Sequence, residues 1–264
     1  MSSSKSGKKI TGIYLGKEKV IIKFSDEKMN ISKSAYLEMM LYEGKELSDK
    51  EIKKIKDIDE LDKYLTSAKK YVLASLRSEK EVKDKLLNIG AKPRQINYIV
   101  NELKKYSLID DASLMKDLID NASYKNYGEA RIKEILYKKG ISKELIDSYS
   151  FEDSSELSKA KRLLPSLEKK FSKYNYRLKK EHIYQALLRY GYSYEVANKV
   201  IENVKSNDTK HELEILKKDY LKVKNRYIKK YNKDEVDFKI NQYLLSKGYR
   251  QIDINKIKGE KRWK

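Results

Sequence analysis

The sequence predicts a mainly α protein, an elongated right-handed array of tandem three-helix repeats that follows a small N-terminal β-hairpin/helix module. The first observation is a repeat: Gly90, Gly140, Gly191 and Gly248 stand 50, 51 and 57 residues apart, and apolar positions keep the same offsets from each. The second is composition, because only two prolines and ten glycines with 38% charged residues favour long helices. A length of 264 residues exceeds the usual size of one domain, which also favours an array.

The apolar columns predict one helix before each glycine and another after it. They lie eight, four and three residues before the glycine and six and nine after it, spacings that trace one face of a helix. Glycine commonly ends a helix, because it adopts the left-handed conformation without steric cost. The columns are Val82, Ile132, Ile183 and Ile240; Leu86, Leu136, Leu187 and Leu244; Leu87, Tyr137, Leu188 and Leu245; Ile96, Ile146, Ala197 and Ile254; and Ile99, Tyr149, Val200 and Ile257.

Residues 1–58 differ in kind and predict the β-hairpin/helix module. A polar, disordered start over 1–9 precedes β-rich runs at 10–14 and 20–24, with a third strand expected at 28–31. A helix over 34–42 is expected to stop at Gly44. The run Ser48-Asp49-Lys50-Glu51 is typical of a capping box, which predicts a short helix ending near residue 57.

The first two repeats are predicted at 59–111 and 112–152. Ser78-Glu79-Lys80-Glu81 is a second capping box, and Pro93 suits a first helical turn. Asp110 and Asp111 stand where a helix begins, so we interpret them as favourable charges at its N-terminus in preference to a metal pair. The predicted helices are 61–76, a helix from the capping box to Gly90, 93–105, 112–123, 128–139 and 142–149.

The last two repeats are predicted at 153–206 and 207–264, each after a polar break. The third holds helices over 156–173, 178–190 and 194–204, with Ser193 as an N-cap. The fourth opens with an amphipathic helix over 208–231, which would run roughly 36 Å. Helices over 234–246 and 251–258 and a basic tail over 258–264 complete it.

Positive charge is concentrated in the second half of the chain. The formal net charge is +20, and residues 153–264 carry 29 basic against 15 acidic residues. Such a field attracts a polyanion and positions it by phosphate contacts, which predicts nucleic acid as a partner. The absence of cysteine fits a reducing compartment, and no apolar run approaches a membrane span, so we expect a cytoplasmic protein without a membrane partner.

Two stretches are candidates for nucleic-acid or filament binding. One mixes cations with aromatic rings at a helix junction, a composition suited to phosphate contact and base stacking; the other is the outer face of the long helix. For any single lysine a solvated face is the alternative, and Phe171 and Tyr174 also have the spacing of a core stripe. The candidates are Lys169, Lys170, Lys173, Tyr174, Tyr176, Arg177, Lys179 and Lys180, and then Lys217, Lys218, Lys222, Lys224, Arg226, Lys229 and Lys230.

The sequence contains no pattern typical of an enzyme. His182 and His211 fall in different repeats, with no cysteine or clustered carboxylate beside them, so surface or helix positions are favoured over metal ligation. No nucleophile elbow, glycine-rich cradle or H-E-x-x-H occurs. We therefore predict no catalytic, cofactor-binding or metal-binding residues and no cofactor.

Three motifs in order resemble the RecX family of recombination regulators. They read K-K-Y-V-L-A-S-L-R-S-E-K-E-V-K-D-K-L-L-N-I-G at 69–90, Y-S-L-I-D-D-A at 106–112 and N-Y-G-E-A-R-I-K-E-I-L-Y-K-K-G-I at 126–141. The chain departs from the pattern at Val82, where the family often has leucine, and at Ser113-Leu114, which replace an aromatic residue and alanine. Residues on the family's positions are Ser78, Glu79, Glu81, Asp110, Asp111, Gly128, Arg131, Ile132 and Gly140.

The resemblance is strongest over residues 60–150 and implies a regulator of the RecA recombinase. Similar proteins are curved arrays of three-helix units that lie in the groove of the RecA filament on DNA, bridge its subunits, and inhibit ATP hydrolysis, strand exchange and assisted repressor cleavage. The implied partners are the RecA filament and single- and double-stranded DNA, bound by a monomer. The alternative is a general nucleic-acid-binding helical scaffold without a recombinase partner, for which the basic third and fourth repeats suffice.

Overall fold

The computed structural model describes residues 7–151 and 153–259, with the side chains of 153–155 excluded, and confirms a mainly α protein with an N-terminal β module. The strands are β1 Lys8–Lys9, β2 Gly12–Leu15, β3 Lys19–Lys23, β4 Lys28–Ser32 and β5 Glu46–Leu47. The helices are α1 Lys33–Glu38, α2 Asp49–Ala74, α3 Glu79–Asn88, α4 Pro93–Lys105, α5 Asp111–Tyr124, α6 Glu129–Lys139, α7 Lys143–Asp147, α8 Asp153–Lys170, α9 Tyr176–Arg189, α10 Tyr194–Ile201, α11 Thr209–Tyr227, α12 Lys233–Ser246 and α13 Gln251–Gly259.

The N-terminal module is a three-stranded antiparallel sheet of β2, β3 and β4 packed on α1 and the start of α2. Val20 and Ile22 alternate into its core with outward residues between them, as the sequence predicts for a half-buried strand. Residues 8–9 pair antiparallel with β5, so the prediction that residues 1–9 are disordered is wrong for these two. Residues 1–6 of that segment lie outside the described residues. Helix α1 is shorter than predicted, because Met40 adopts φ 44° before Gly44 is reached.

One helix replaces two predicted ones at the start of the first repeat. The Ser48 capping box opens α2, which continues without a glycine or proline to Ala74. Its Ile55 lies in the core of the N-terminal module, whereas Tyr64 and Ala68 lie in the core of the first repeat. The predicted boundary after residue 58 therefore falls within a continuous helix, and the division of the chain into repeats stays a prediction.

The chain divides into two compact units, Met1–Met115 with Lys139–Ser142, and Lys116–Lys138 with Lys143–Lys264. In the first unit α2, α3 and α4 pack around one apolar core that includes Leu86, Ile99 and Leu103. In the second unit α8, α9 and α10 enclose one core, and α11, α12 and α13 enclose another. Helix α8 already begins at Asp153, so the prediction of a polar break over 152–155 is wrong from that residue on. Residue 152 lies outside the described residues.

The four repeat glycines end helices as predicted. Their φ angles lie between 82° and 91°, the left-handed region, and the columns eight and four residues before them are buried. Three members of the column three residues before them are exposed, Leu87 by 60%, Tyr137 by 45% and Leu245 by 43%, whereas the fourth, Leu188, packs against the core of the third repeat. Instead the residue directly after each glycine is buried, namely Ala91, Ile141, Tyr192 and Tyr249.

A recurrent contact joins the start of α3, α6 and α9 to a later carboxylate. The first backbone N–H of each helix donates to an acid in the first turn of the helix that opens the next repeat: Glu79 to Asp111 (2.8 Å), Glu129 to Glu156 (2.5 Å) and Tyr176 to Glu212 (2.6 Å). Each pair lies within one unit. The acid thus satisfies a helix N–H that has no partner within its own helix.

The first residues of the same helices also contact the residue that precedes a repeat glycine. Ser78 Oγ donates to the Lys139 carbonyl, and Asn175 Nδ2 donates to the Lys247 carbonyl (2.9 Å), so each cap reaches the residue before a glycine. At Gly128 the backbone N–H donates to the Tyr190 carbonyl (2.8 Å), one residue before Gly191. These contacts fix the start of α9, which carries part of the predicted interface.

Candidate nucleic-acid interface

The two stretches predicted to bind nucleic acid meet at the beginning of α11. His211 Nε2 lies 3.0 Å from the Ser172 carbonyl, and Asn207 Nδ2 donates to the Tyr174 carbonyl at 3.2 Å. Asp208 caps α11 by accepting from the His211 N–H at 2.7 Å. The α8–α9 junction and the long helix are thereby held together within the second unit.

At the α8–α9 junction the cations point outward while the rings pack. Phe171 and Tyr174 lie with their ring centroids 5.4 and 4.3 Å from that of His182, and all three side chains are half-buried. This arrangement agrees with the core-stripe interpretation of Phe171 and Tyr174 and gives His182 a structural position. The exposed members are Lys169, Lys170, Lys173 and Arg177, and Lys180 is half-buried beside the Tyr176 ring.

Lys179 is a predicted contact residue whose ammonium is turned inward. Its side chain is only 5% exposed, and Nζ donates to the Lys205 carbonyl at 2.7 Å and to Asn207 Oδ1 at 2.6 Å. Buried charges persist where they are fully hydrogen-bonded, as here. Lys179 therefore tethers the loop before α11, and its inclusion among exposed phosphate contacts is wrong. Tyr176 is likewise half-buried against the third repeat's core.

Helix α11 presents a basic outer face opposite an apolar one. Leu216, Tyr220 and Val223 are buried, which matches the predicted amphipathic pattern. The helix ends at Tyr227, four residues before the predicted end, where the chain enters a turn in which the Lys230 N–H donates to the Tyr227 carbonyl (2.9 Å). Lys217, Lys218, Lys222, Arg226, Lys229 and Lys230 are exposed, whereas Lys224 is half-buried near the Tyr220 ring.

Eight cations of this surface lack a carboxylate partner among the described residues, whereas several cations of the first unit are paired. In the first unit Glu79 holds both Lys83 (2.6 Å) and Lys104 (2.5 Å), and Glu81 holds Lys139 (3.0 Å). Burial alone would raise the pKa of the Glu79 carboxyl, but hydrogen bonds from Lys104 and Lys83 outweigh it and keep this pKa below its ordinary value. The following have no carboxylate within 4 Å among residues 7–151 and 153–259: Lys169, Lys170, Lys173, Arg177, Lys218, Lys222, Lys229 and Lys230.

Sequence reasoning missed the acids that organise this surface. Glu212 accepts from both the Tyr176 N–H and Asn207 Nδ2 (2.8 Å), so it fixes the start of α9 against that of α11. Asp111 and Glu156 act in the same way at the other junctions. The signal in the sequence was an acidic residue in the first turn of the helix that opens each repeat. For Asp111 we interpreted this acid as a favourable charge at the N-terminus of its own helix.

The described residues contain no group of three histidine, cysteine, aspartate or glutamate side chains placed to hold a metal ion. Asp110 Oδ1 accepts from the Ala112 N–H (2.9 Å) and Asp111 from the Glu79 N–H, so both act as helix caps, though of different helices. Over the part of the chain that was searched, no helix combines the length and apolarity that a membrane crossing requires.

Comparison with known proteins places these observations in a family. No protein-family model matches the chain. The regulatory protein RecX of Bacillus licheniformis is 31% identical over 260 residues, which cover 93% of this chain and 95% of the relative. That of Streptococcus mutans is 29% identical over 247 residues, covering 91% and 95%. A crystal structure of regulatory protein RecX superposes with a TM-score of 0.61 at 23% identity, covering 74% of this chain and all of that one, which supports the fold. The chain belongs to the RecX family of regulatory proteins.

Proposed function

We propose that this protein binds the RecA filament on DNA and regulates RecA, lowering ATP hydrolysis, strand exchange and assisted repressor cleavage. The observation that carries the proposal is its likeness to RecX regulatory proteins over nearly the whole chain, 93% in the case of Bacillus licheniformis. The relatives are named regulatory proteins, which agrees with a role that modulates another protein.

The surface chemistry supports a partner made of both protein and nucleic acid. Unpaired lysines on α11 and at the α8–α9 junction complement phosphates, because a cation without a carboxylate neighbour keeps its full attraction for a polyanion. Exposed apolar side chains in each unit, Leu87 in the first and Tyr137 and Leu245 in the second, are of the kind that protein interfaces use. Charge would then speed encounter with the filament, and apolar contact would hold it.

The test is ATP hydrolysis by the cognate RecA on single-stranded DNA with this protein added. We expect the hydrolysis rate to fall as the protein approaches stoichiometric amounts relative to RecA. A control with the DNA omitted separates an effect on the filament from one on free RecA. An unchanged rate, at concentrations where DNA binding is retained, would contradict the proposal.

The unpaired basic surface also favours a second candidate, a nucleic-acid-binding scaffold without a recombinase partner. The two candidates differ in what the partner must supply. A scaffold competes with RecA for DNA, so its effect should disappear when DNA is in excess. A regulator that engages the filament keeps its effect under that condition, which makes a titration of DNA at fixed RecA the discriminating measurement.

A further inference from the structure

The N-terminal sheet has an outer face that no other element covers among the described residues. The register pairs Tyr14 with Ile21 and Ile21 with Asn30, so these side chains form one row across three strands on the side opposite the core. Tyr14 is 53% exposed and Ile21 37% exposed, whereas Val20 and Ile22 on the other side are fully buried. Lys19, Lys23 and Lys28 fall on the same outer side, two residues from that row.

The ring of Tyr14 is held in a defined place on this face. The ring packs beside Gly12, where an added Cβ would lie 3.4 Å from Tyr14 Cε2, an ordinary van der Waals contact. Lys23 donates to the Tyr14 hydroxyl at 3.2 Å, and its ammonium lies 4.4 Å from the ring centroid. The sheet therefore presents an aromatic ring and a cation side by side. Both side chains are positioned by neighbouring strands and not by a loop.

Three lysines give this face a positive charge, and two of the neighbouring acids are paired with another lysine. Asp26 and Glu27, in the turn between β3 and β4, both pair with Lys8. Glu43 accepts from the Ile13 N–H at 3.2 Å. Among the described residues, no carboxylate lies within 4 Å of the ammonium of Lys19, Lys23 or Lys28.

We propose that this outer face, formed by Tyr14, Ile21 and Asn30 with Lys19, Lys23 and Lys28, is a binding site for single-stranded nucleic acid. Bases in a single strand are free to stack on an exposed ring, and each has a π-face, while lysines beside the ring contact the backbone. A duplex hides those faces in its own stack and offers phosphates and base edges instead. Three strands about 4.8 Å apart span about 10 Å, which suits a short run of nucleotides.

The proposal is independent of the basic surface on α11, because it concerns a different element of the fold. It is tested with the full chain and a fluorescein-labelled oligo(dT), by anisotropy. Tyr14→Ala should weaken binding at least about fivefold, since stacking on one ring contributes about that factor per base. Lys19→Ala with Lys28→Ala should weaken it and lower its salt dependence.

Matched controls lie on helices of the same unit. Tyr98→Ala removes a tyrosine of α4 that is 50% exposed, and Lys53→Ala with Lys56→Ala removes two exposed lysines of α2. Both controls should bind oligo(dT) as the parent does. Equal losses in the controls and the sheet variants, or an unchanged affinity of the Tyr14→Ala protein with an unchanged circular dichroism spectrum, would overturn the proposal.

A second measurement does not depend on affinity. Irradiation of an oligonucleotide that contains 5-bromodeoxyuridine should cross-link to the peptide that carries Tyr14, and cross-linking elsewhere alone would contradict the site. An equal loss of duplex binding in Tyr14→Ala would also contradict it, because stacking is expected of single strands only. The RecA hydrolysis assay is separate: a normal effect on RecA with no role for the sheet would refute this site and leave the proposed function intact.

Discussion

Gly191 shows how one residue serves two requirements of a repeat protein. Its φ of 91° is a conformation that other residues adopt only at a cost, and it ends α9. In addition, a Cβ added there would lie 2.5 Å from Arg131 Cβ, far inside van der Waals contact. Gly191 thus ends α9 and also contacts the first turn of α6. Its replacement should therefore lower the free energy of unfolding by more than the loss of a helix cap alone.

The prediction at this scale compares Gly191→Ala with Gly44→Ala. Gly44 has a similar φ of 93°, but a Cβ there would meet nothing within 4 Å. We expect Gly44→Ala to lower the free energy of unfolding by about 1–2 kcal/mol for the backbone alone. Gly191→Ala should lower it by about 1–3 kcal/mol more, the cost of overpacking. Urea denaturation followed by circular dichroism measures both, and equal losses would show that the close approach relaxes freely.

The start of α3 shows how an element is stabilised by charge from a distant part of its unit. Glu81 completes the capping box by accepting from the Ser78 N–H at 3.0 Å, and it also pairs with Lys139 at 3.0 Å. Burial alone would raise the pKa of Glu81, but the bonds from Ser78 and Lys139 outweigh it and keep this pKa below its usual value. A lowered carboxyl pKa contributes stability above the unfolded pKa, which is lost as the pH falls through the folded pKa.

Glu81→Gln should therefore destabilise the protein at pH 7 and make no difference in acid. At neutral pH the amide keeps the bond to Ser78 but loses the ion pair, at a cost of roughly 1 kcal/mol. As the pH falls through the folded pKa of Glu81, which lies below its ordinary value, the parent takes up a proton and the two proteins should converge. Urea midpoints at pH 7, 5 and 3.5 measure this. Glu18→Gln, in the exposed hairpin turn, is the control. If the urea midpoint of Glu81→Gln differs from that of the parent by the same amount at all three pH values, the ion pair is not the cause of the difference.

Helix periodicity predicted most elements, and local signals could not predict the rest. The columns at −8 and −4 from each glycine are core, and Pro93 opens α4 where expected. Three of the four residues at −3 are exposed, because the buried stripe is narrower there than the apolar residues suggest. The tether made by Lys179 and the clamp made by Glu212 depend on partners 26 and 36 residues away, which no local pattern encodes.

On the scale of the whole molecule, net charge and its placement make separate contributions. The total of +20 attracts any polyanion at long range. The placement decides where phosphates are held, because cations paired with acids, such as Lys83 and Lys104, are already neutralised. Lys218 and Lys222 of α11, with Lys229 two residues beyond its end, are exposed and have no ion pair among the described residues; we call these three the α11 lysines. Lys53, Lys56 and Lys63 of α2 share both properties, which makes a matched comparison possible.

Changing three lysines to glutamate lowers the net charge from +20 to +14 in either set. If placement matters, the α11 triple variant should bind duplex DNA far more weakly, and the slope of log K against log salt should fall by about three, close to one per lost phosphate contact. The α2 triple variant should keep the parent slope and lose only the modest long-range attraction. Anisotropy titrations between about 50 and 200 mM salt measure both slopes. Equal losses in the two variants would mean that the lysines of α11 are a solvated face and that total charge alone draws this protein to DNA.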